Sequence, residues 1–209
     1  MLSKKAGRPR EFCTVQALDA AMHLFWRKGY EGTSLTDLTD AIGVSRPSLY
    51  AAFGSKEELF RKVLAYYAEL RAPAMSAALG QPTARGVVEA LLSASVGEAS
   101  QSECRGCLLV QGALACSDEA ESIRRELNVQ REASVETLRG RFEQAKAEGD
   151  FPANTEPADL ARYFVTVMNG MAVQAAGGAG PESLRHVADI ALKALPGSDR
   201  SHGINSEAG

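Results

Sequence analysis

Apolar residues recur every three or four positions through most of the chain, and no stretch alternates strictly between apolar and polar residues. This spacing predicts amphipathic helices without strands, because residues three and four apart share one face of a helix. After the N-terminal region it predicts helices over about residues 55–78, 83–99, 106–115, 118–148, 157–176 and 181–195. We therefore expect an all-α protein.

Near the N-terminus, the pattern is that of two short helices joined by a tight turn. Ser34 can cap the first helix, because its oxygen can accept a hydrogen bond from a free first-turn amide. Gly43 lies where the chain must reverse, and glycine adopts a positive φ without steric cost. Ser45 can cap the second helix, in which Leu49 and Phe53 lie four apart and should face the core. This layout is that of a helix-turn-helix, whose second helix enters the major groove of DNA.

The second of these helices carries polar side chains that suit a DNA surface. Arg46, Ser48 and Tyr50 should point away from the core, and such side chains contact phosphates and base edges. Lys56 follows at the start of the next helix, where the helix dipole disfavours a cation. A phosphate bound beside the free first-turn amides would account for a lysine there. We expect Tyr50 and Lys56 at phosphates and the other two residues nearer to the bases.

Residues 15–60 of the 209 resemble the DNA-binding domain of TetR/AcrR-type transcriptional regulators. The matching segments are AA at 20–21, LF at 24–25, GY at 29–30, TS at 33–34, GVS at 43–45, LY at 49–50 and SKEEL at 55–59. The resemblance implies a homodimer that binds a palindromic operator in double-stranded DNA and responds to a small-molecule effector. It extends the candidate DNA contacts to Thr33, Ser34, Ser45 and Pro47, although Pro47 stands where the family commonly has a small residue.

Formal charge is divided unequally along the chain. The whole chain carries −3, but residues 1–62 hold ten Lys/Arg against seven Asp/Glu, and residues 63–209 hold thirteen against nineteen. The basic part is therefore the part that would contact phosphates. The small positive balance favours a few placed contacts and dimerisation over a broad basic surface, which speaks against a purely architectural DNA-binding protein.

We expect four segments. They are a flexible basic arm (residues 1–10), the helix-turn-helix domain (11–60), a larger helical domain for effector binding and dimerisation (61–196) and a disordered tail (197–209). The arm either follows the minor groove through Lys5, Arg8 and Arg10 or only solubilises the terminus. Polar residues and glycines dilute the uncharged run at 163–181, and no signal-peptide pattern begins the chain. We expect a cytoplasmic protein that does not contact membranes.

The last two predicted helices carry more apolar surface than one small domain can cover. The helix over residues 157–176 is apolar on nearly every side, so both of its sides need covering. Pairing with a second copy would form a two-fold, four-helix interface, whereas the alternative is a helix buried within a monomer. The residues predicted for the interface are Phe164, Val167, Leu184, Val187, Ala191 and Leu195.

The resemblance also implies a small-molecule pocket between the middle helices of the larger domain. The candidate lining residues are Leu92, Val96, Cys107, Leu109, Phe142, Tyr163, Met168 and Met171. Each of them is more often an ordinary core residue than a ligand contact. Few charged residues belong to the set, which favours a neutral or apolar effector.

The cysteines add an alternative. Cys104 and Cys107 form a Cys-x-x-Cys motif. No βαβ pattern surrounds it, so we do not expect a thioredoxin-like oxidoreductase. No second pair of ligands accompanies it, so we expect no metal site and no cofactor. A thiol at a helix N-terminus beside an arginine ionises more readily. Cys107 is similar to a cysteine in a subgroup of these regulators, some of which respond to electrophiles or oxidants. If Cys107 is such a sensor, Cys104 is the candidate resolving thiol under oxidants. Otherwise Cys107 is a small buried hydrophobe. We therefore expect a regulator rather than an enzyme, gated by a ligand or through this thiol.

Overall fold

The computed structural model describes residues 13–99, 106–114 and 120–197. Its helices are α1 (Thr14–Gly32), α2 (Leu35–Ile42), α3 (Arg46–Phe53), α4 (Lys56–Leu79), α5 (Ala84–Ala99), α6 (Leu108–Leu114), α7 (Glu121–Ala147), α8 (Pro157–Ala176) and α9 (Pro181–Leu192). These ranges contain no strand, which confirms the predicted fold class. Lys5, Arg8, Arg10, Cys104, Cys116 and the predicted tail from residue 198 lie outside the described residues.

The predicted caps of the N-terminal helices are confirmed. Ser34 and Ser55 each accept a hydrogen bond from the amide three residues ahead, and each forms a reciprocal capping box with the acidic residue there. Ser45 accepts from the amide of Ser48 in the same way. Gly43 ends α2 at φ 76°, a left-handed conformation that L side chains rarely adopt. Local hydrogen bonds thus set the angle between α2 and α3.

Helices α1 to α3 and the start of α4, which we call the head, enclose an apolar core. Its largest buried side chains are Phe25, Leu38, Leu49, Phe53 and Phe60. The same cluster continues into later parts of the chain through Leu108 on α6 and Ile123 and Leu127 on α7. We call this set the head core.

The second core, which we call the body core, lies among α5, α7, α8 and α9. Phe142 at its centre packs edge-on against both Phe151 and Phe164. Helix α4 connects the two cores, since Phe60 belongs to the head core and Ala78 to the body core. Within the described ranges, no helix is long and apolar enough to cross a membrane.

Candidate nucleic-acid interface and inner cavity

Helix α3 has one buried face and one polar, exposed face. Leu49 and Phe53 are each only 2% exposed, whereas Tyr50 is 47% exposed. Arg46, Pro47 and Ser48 are exposed as well, and they form the N-terminal turn of the helix. The first turn of α3 and Tyr50 are therefore exposed and accessible to a binding partner.

The polar side chains at this end of α3 are held in place by their neighbours. The Ser45 and Ser48 hydroxyl oxygens lie 2.9 Å apart. Arg46 donates from Nη2 to Oγ1 of Thr36 on α2 at 2.8 Å. Such contacts fix the direction of side chains before any partner binds, which lowers the conformational entropy lost on binding.

Thr33, predicted to contact DNA, does not reach the surface. Its side chain is fully buried, and Oγ1 donates to the carbonyl oxygen of Gly29 at 2.7 Å. The Thr33 hydroxyl therefore satisfies a main-chain carbonyl at the end of α1 instead of a phosphate. This is a correction to the predicted set of contacts.

Ser34, the next residue, is exposed but occupied by Asp37. Its hydroxyl and its amide both donate to the Asp37 carboxylate, at 2.8 and 2.9 Å. The Lys28 ammonium lies 2.6 Å from the same carboxylate. Hydrogen bonding to Lys28, followed by that to Ser34, lowers the pKa of Asp37 to about 2. The start of α2 is thus an ionic cap that joins α1 to α2.

Lys56, at the first position of α4, lies over an aromatic ring. Its Nζ is 4.4 Å from the centre of the Tyr30 ring, which favours a cation. Partial burial lowers the pKa of Lys56, and the nearby Glu31 opposes that effect. The side chain is therefore oriented by Tyr30, beside the free amides at the start of α4.

The larger helices enclose an inner cavity of about 360 Å³. Residues of α4, α5, α6, α7 and α8 line it, together with Cys107 just before α6. Of the predicted lining residues, Cys107, Leu109 and Met168 lie at its wall. A cavity of this size is typical of a small-molecule site.

The remaining predicted lining residues are not at the wall. Leu92, Val96, Phe142 and Met171 are buried in the body core. Tyr163 is 40% exposed on the outer side of α8. Helical spacing identified these residues as apolar, but it does not distinguish a side chain that fills the core from one that borders a cavity.

The cavity wall is more polar than the sequence predicted. Arg71 forms an ion pair with Glu98 there, and Arg131, Gln130 and Asn169 also line it. Burial raises the pKa of Glu98, and the charge of Arg71 opposes that rise. The predicted lining contained few charged residues, and that prediction is wrong. The expectation of a neutral or apolar effector therefore loses its basis. The sequence does carry a signal for a charged residue at this wall, since Arg71 is spaced four residues from both Tyr67 and Met75 on α4 and therefore shares their face.

Cys107 lies between the head and the cavity wall. Gly106 before it has φ 89°, and a Cβ there would lie 2.5 Å from the carbonyl oxygen of Ala172 on α8. The Tyr67 hydroxyl donates to Cys107 Sγ across 3.7 Å. Burial is the main reason why the pKa of the Tyr67 hydroxyl is raised, and the neighbouring Cys107 adds to that rise. On its other side, the Tyr67 ring contacts the Trp26 ring of α1 edge-on, with centroids 5.2 Å apart.

The predicted dimer stripe faces the interior of the protomer. Phe164, Leu184, Ala191 and Leu195 are buried in the body core, and Val167 is half-buried against it. This is a correction, because side chains buried within one protomer cannot line an interface with a second. Of the predicted residues, only Val187 is exposed. The large apolar side chains exposed on α8 and α9 are Tyr163, Val173, Val187 and Ile190. We call these four the outer apolar surface.

Among the residues that the structure describes, no three His, Cys, Asp or Glu side chains lie close enough together to hold a metal ion. The free thiols described are Cys13, which is exposed, and Cys107, which is partly buried. The predicted partner thiol, Cys104, has no described position.

Comparisons with known proteins agree with this division into head and body. Residues 17–63 match the family described as "Bacterial regulatory proteins, tetR family", and residues 84–190 match "Tetracyclin repressor-like, C-terminal domain". The HTH-type transcriptional repressor ComR of Escherichia coli K12 is 34% identical over 93% of this chain and 94% of its own. BdcR of the same strain, also an HTH-type transcriptional repressor, is 32% identical over 92% and 94%.

Solved structures with the same fold include a DNA complex. A cysteine mutant of the TetR family transcriptional regulator CifR, complexed with 26-bp double-strand operator DNA, is 42% identical to this chain. The match covers 90% of this chain and 100% of that one, with a TM-score of 0.85.

Proposed function

Because the chain belongs to the TetR family of bacterial regulatory proteins and is a DNA-binding transcriptional regulator, we propose that it acts as a homodimeric repressor. In this proposal it binds a palindromic operator and leaves it when a small molecule occupies the inner cavity. The observation that carries the DNA contacts is the polar face of α3, in which Arg46, Ser48 and Tyr50 project opposite the buried Leu49 and Phe53.

In the proposed complex, α3 lies in the major groove. Arg46 and Ser48 on its first turn contact base edges, while Tyr50 and Lys56 contact phosphates. Ser34, Ser45 and Pro47 lie on the same exposed ends of α2 and α3 and complete the contact surface. Charged contacts from a few placed residues give affinity that depends on salt, as expected for a head with a small positive balance.

The outer apolar surface supports the proposed dimer. Tyr163, Val173, Val187 and Ile190 are each 40% exposed or more, and large apolar side chains exposed on two helices that pack together are typical of an interaction surface. A two-fold axis through α8 and α9 would bring each patch against its own copy. It would also give the two heads a fixed separation, which a palindromic operator requires.

Helix α4 provides the proposed link between effector and DNA. It begins with Lys56 in the head and carries Tyr67, Arg71 and Met75 along the cavity wall. A ligand that fits one position of α4 better than another shifts the population of the two, and only that difference in affinity drives the change. Movement of α4 then alters the separation of the two heads.

The experiment that tests this function is a gel shift with DNA flanking the gene of this chain. We expect a complex of two protomers on one palindromic site, resistant to scrambled competitor DNA and weakened as salt increases. A control with scrambled DNA of equal length measures non-specific binding. Equal affinity for both DNAs, or one protomer per site, would contradict the proposal.

The contact assigned to Lys56 is tested separately by the Lys56→Ala substitution. We expect weaker binding to all DNA sequences alike and a salt dependence reduced by about one phosphate contact for each protomer. Lys193→Ala, at the end of α9, is the matched control and should change neither quantity. Unchanged affinity and salt slope for Lys56→Ala would remove this phosphate contact.

A second candidate is gating through a thiol. Cys107 lines the cavity and contacts Tyr67, which packs against α1 of the head, so a group added to its sulfur would disturb both. In this alternative the protein senses electrophiles or oxidants through Cys107, with Cys104 as the resolving thiol under oxidants. The two candidates share the cavity and differ in whether the occupant binds covalently.

A further inference from the structure

The inner cavity is longer than its main chamber. A smaller annex of about 190 Å³ adjoins it, and the two share Met75, Gln130, Ser134, Val165 and Met168 in their walls. The two spaces therefore lie next to each other beside α4, α7 and α8, and we consider them together as one site for a ligand. A ligand that fills both spaces is elongated rather than round.

The two ends of this site differ in chemistry. The annex adds Leu79, Leu91, Leu138 and Ala133 to the shared residues, so its wall is mainly apolar. At the other end, Arg131 and Asn169 line both the main chamber and a polar surface groove outside it. These two residues therefore stand at the mouth, where a ligand's polar head would meet solvent.

Arg131 makes no direct ion pair with a carboxylate among the described residues, although its charge lowers the pKa of the neighbouring Glu132. Its guanidinium donates to the side-chain oxygen of Asn128. The adjacent Glu132 is engaged by Arg162, whose Nη1 and Nη2 donate to its two oxygens at 3.0 and 2.7 Å. Arg71, the other cation of the wall, is already paired with Glu98. Arg131 is thus the cation of the wall that makes no direct ion pair in the described part of the chain, and it lies at the mouth.

Hydrogen-bond donors accompany that charge. The side-chain amides of Asn169 and Gln130 make no hydrogen bond within the described part of the chain, and both face the cavity. Polar groups left unpaired at a partly enclosed wall favour a ligand that can accept from them. A carboxylate accepts from a guanidinium and an amide together, whereas an ammonium head would be repelled by Arg131.

We infer that the effector is an amphiphilic carboxylate, with its apolar body in the annex and its carboxylate at Arg131 and Asn169. At the other polar part of the wall, Arg71 is already paired with Glu98 and offers a carboxylate no free cation, which sets this orientation. The inference rests on the proposed effector-gated function and names the chemical class of that effector.

Calorimetry with decanoate, 1-decanol and decyltrimethylammonium tests the head group. We expect decanoate to bind roughly ten- to a hundredfold more tightly than decanol, as a charged hydrogen bond at a partly buried site does, and the ammonium compound not to bind. Within the series hexanoate, octanoate and decanoate, affinity should rise about fourfold for each added methylene. Equal affinities for decanoate and decanol, or no dependence on chain length, would overturn the inference.

Two variants locate the ends of the ligand. Arg131→Gln should remove the preference for decanoate over decanol, whereas Arg125→Gln, also on α7 but outside the cavity wall, should leave it intact. Ala133→Phe, at an exposed position that borders the annex, should abolish the gain from longer chains. A preference that survives Arg131→Gln would show that the carboxylate lies elsewhere and would contradict the assignment.

Titration of the protein–operator complex with decanoate, monitored by fluorescence anisotropy of labelled operator DNA, distinguishes the ligand class from the proposed effector gating. Decanoate that binds with the expected pattern but leaves operator affinity unchanged would support the ligand class and contradict effector gating. Operator binding that responds to thiol reagents, combined with no decanoate binding in calorimetry, would contradict the ligand class and leave the regulator in place.

Discussion

Replacing Ile190 by aspartate should convert the protein from a dimer to a monomer and remove most of its operator affinity. Ile190 is 65% exposed on the outer apolar surface, so in the proposed dimer the substitution places a carboxylate against its own copy. An uncompensated buried charge costs about 3–5 kcal/mol, and the two-fold axis introduces it twice. We expect the dimer dissociation constant to rise by at least about a thousandfold.

Sedimentation equilibrium and operator titration measure the two consequences in parallel. Val129→Asp on α7 is the matched control, since Val129 is 64% exposed and lies outside the outer apolar surface. It should leave both the dimer and the operator affinity unchanged. Val187→Asp, one turn before Ile190, should act like Ile190→Asp. A parent protein that sediments as a monomer at micromolar concentration would contradict the proposed interface.

Alkylation of Cys107 should release the protein from its operator. N-ethylmaleimide forms a bond between the thiolate sulfur and one carbon of its double bond, and the other carbon takes up a proton. The adduct occupies space beside Tyr67, whose hydroxyl is 3.7 Å from the sulfur, and overfilling a packed site costs about 1–3 kcal/mol. Modification of both protomers should lower operator affinity roughly 30-fold or more.

The substitution Cys107→Ser should make the protein resistant to the reagent while leaving untreated operator binding unchanged. Cys13 needs its own variant, because it is exposed on the head and borders a surface groove together with Ser45 and Ser48. Cys13→Ser should be released as readily as the parent. If Cys107→Ser is also released, the thiol mechanism is wrong and a reversible ligand is the better account.

Local sequence signals predicted the helices well, because the hydrogen bonds that start and end a helix are made by neighbours in sequence. Ser34 and Ser45 cap the helices that they were predicted to cap, Ser55 caps the helix predicted to start there, and Pro157 and Pro181 begin theirs. The bounds of α8 agree fully with the prediction. The start of α7 and the end of α9 differ by three residues, in regions without such a signal.

The sidedness of the helices was not predictable from spacing alone. On α9, the stripe that includes Leu184 and Ala191 is strongly apolar and packs inside the protomer, while the exposed surface carries Val187 and Ile190 between polar residues. Which stripe faces the core depends on how α9 packs against α8 and against α5, and α5 is far away in sequence. The cavity was misjudged for the same reason: Arg71 meets Glu98 only because α4 packs against α5.

The head core has a consequence for how such regulators can be recombined. Leu108, Ile123 and Leu127 complete it from α6 and α7, so a segment that ends near residue 62 lacks part of its own interior. A chimera joined at that point would set foreign side chains against Phe25 and Phe60 and leave gaps or clashes. We therefore expect that the head cannot be exchanged on its own, and that a stable hybrid must keep α6 and the first turns of α7 together with the head.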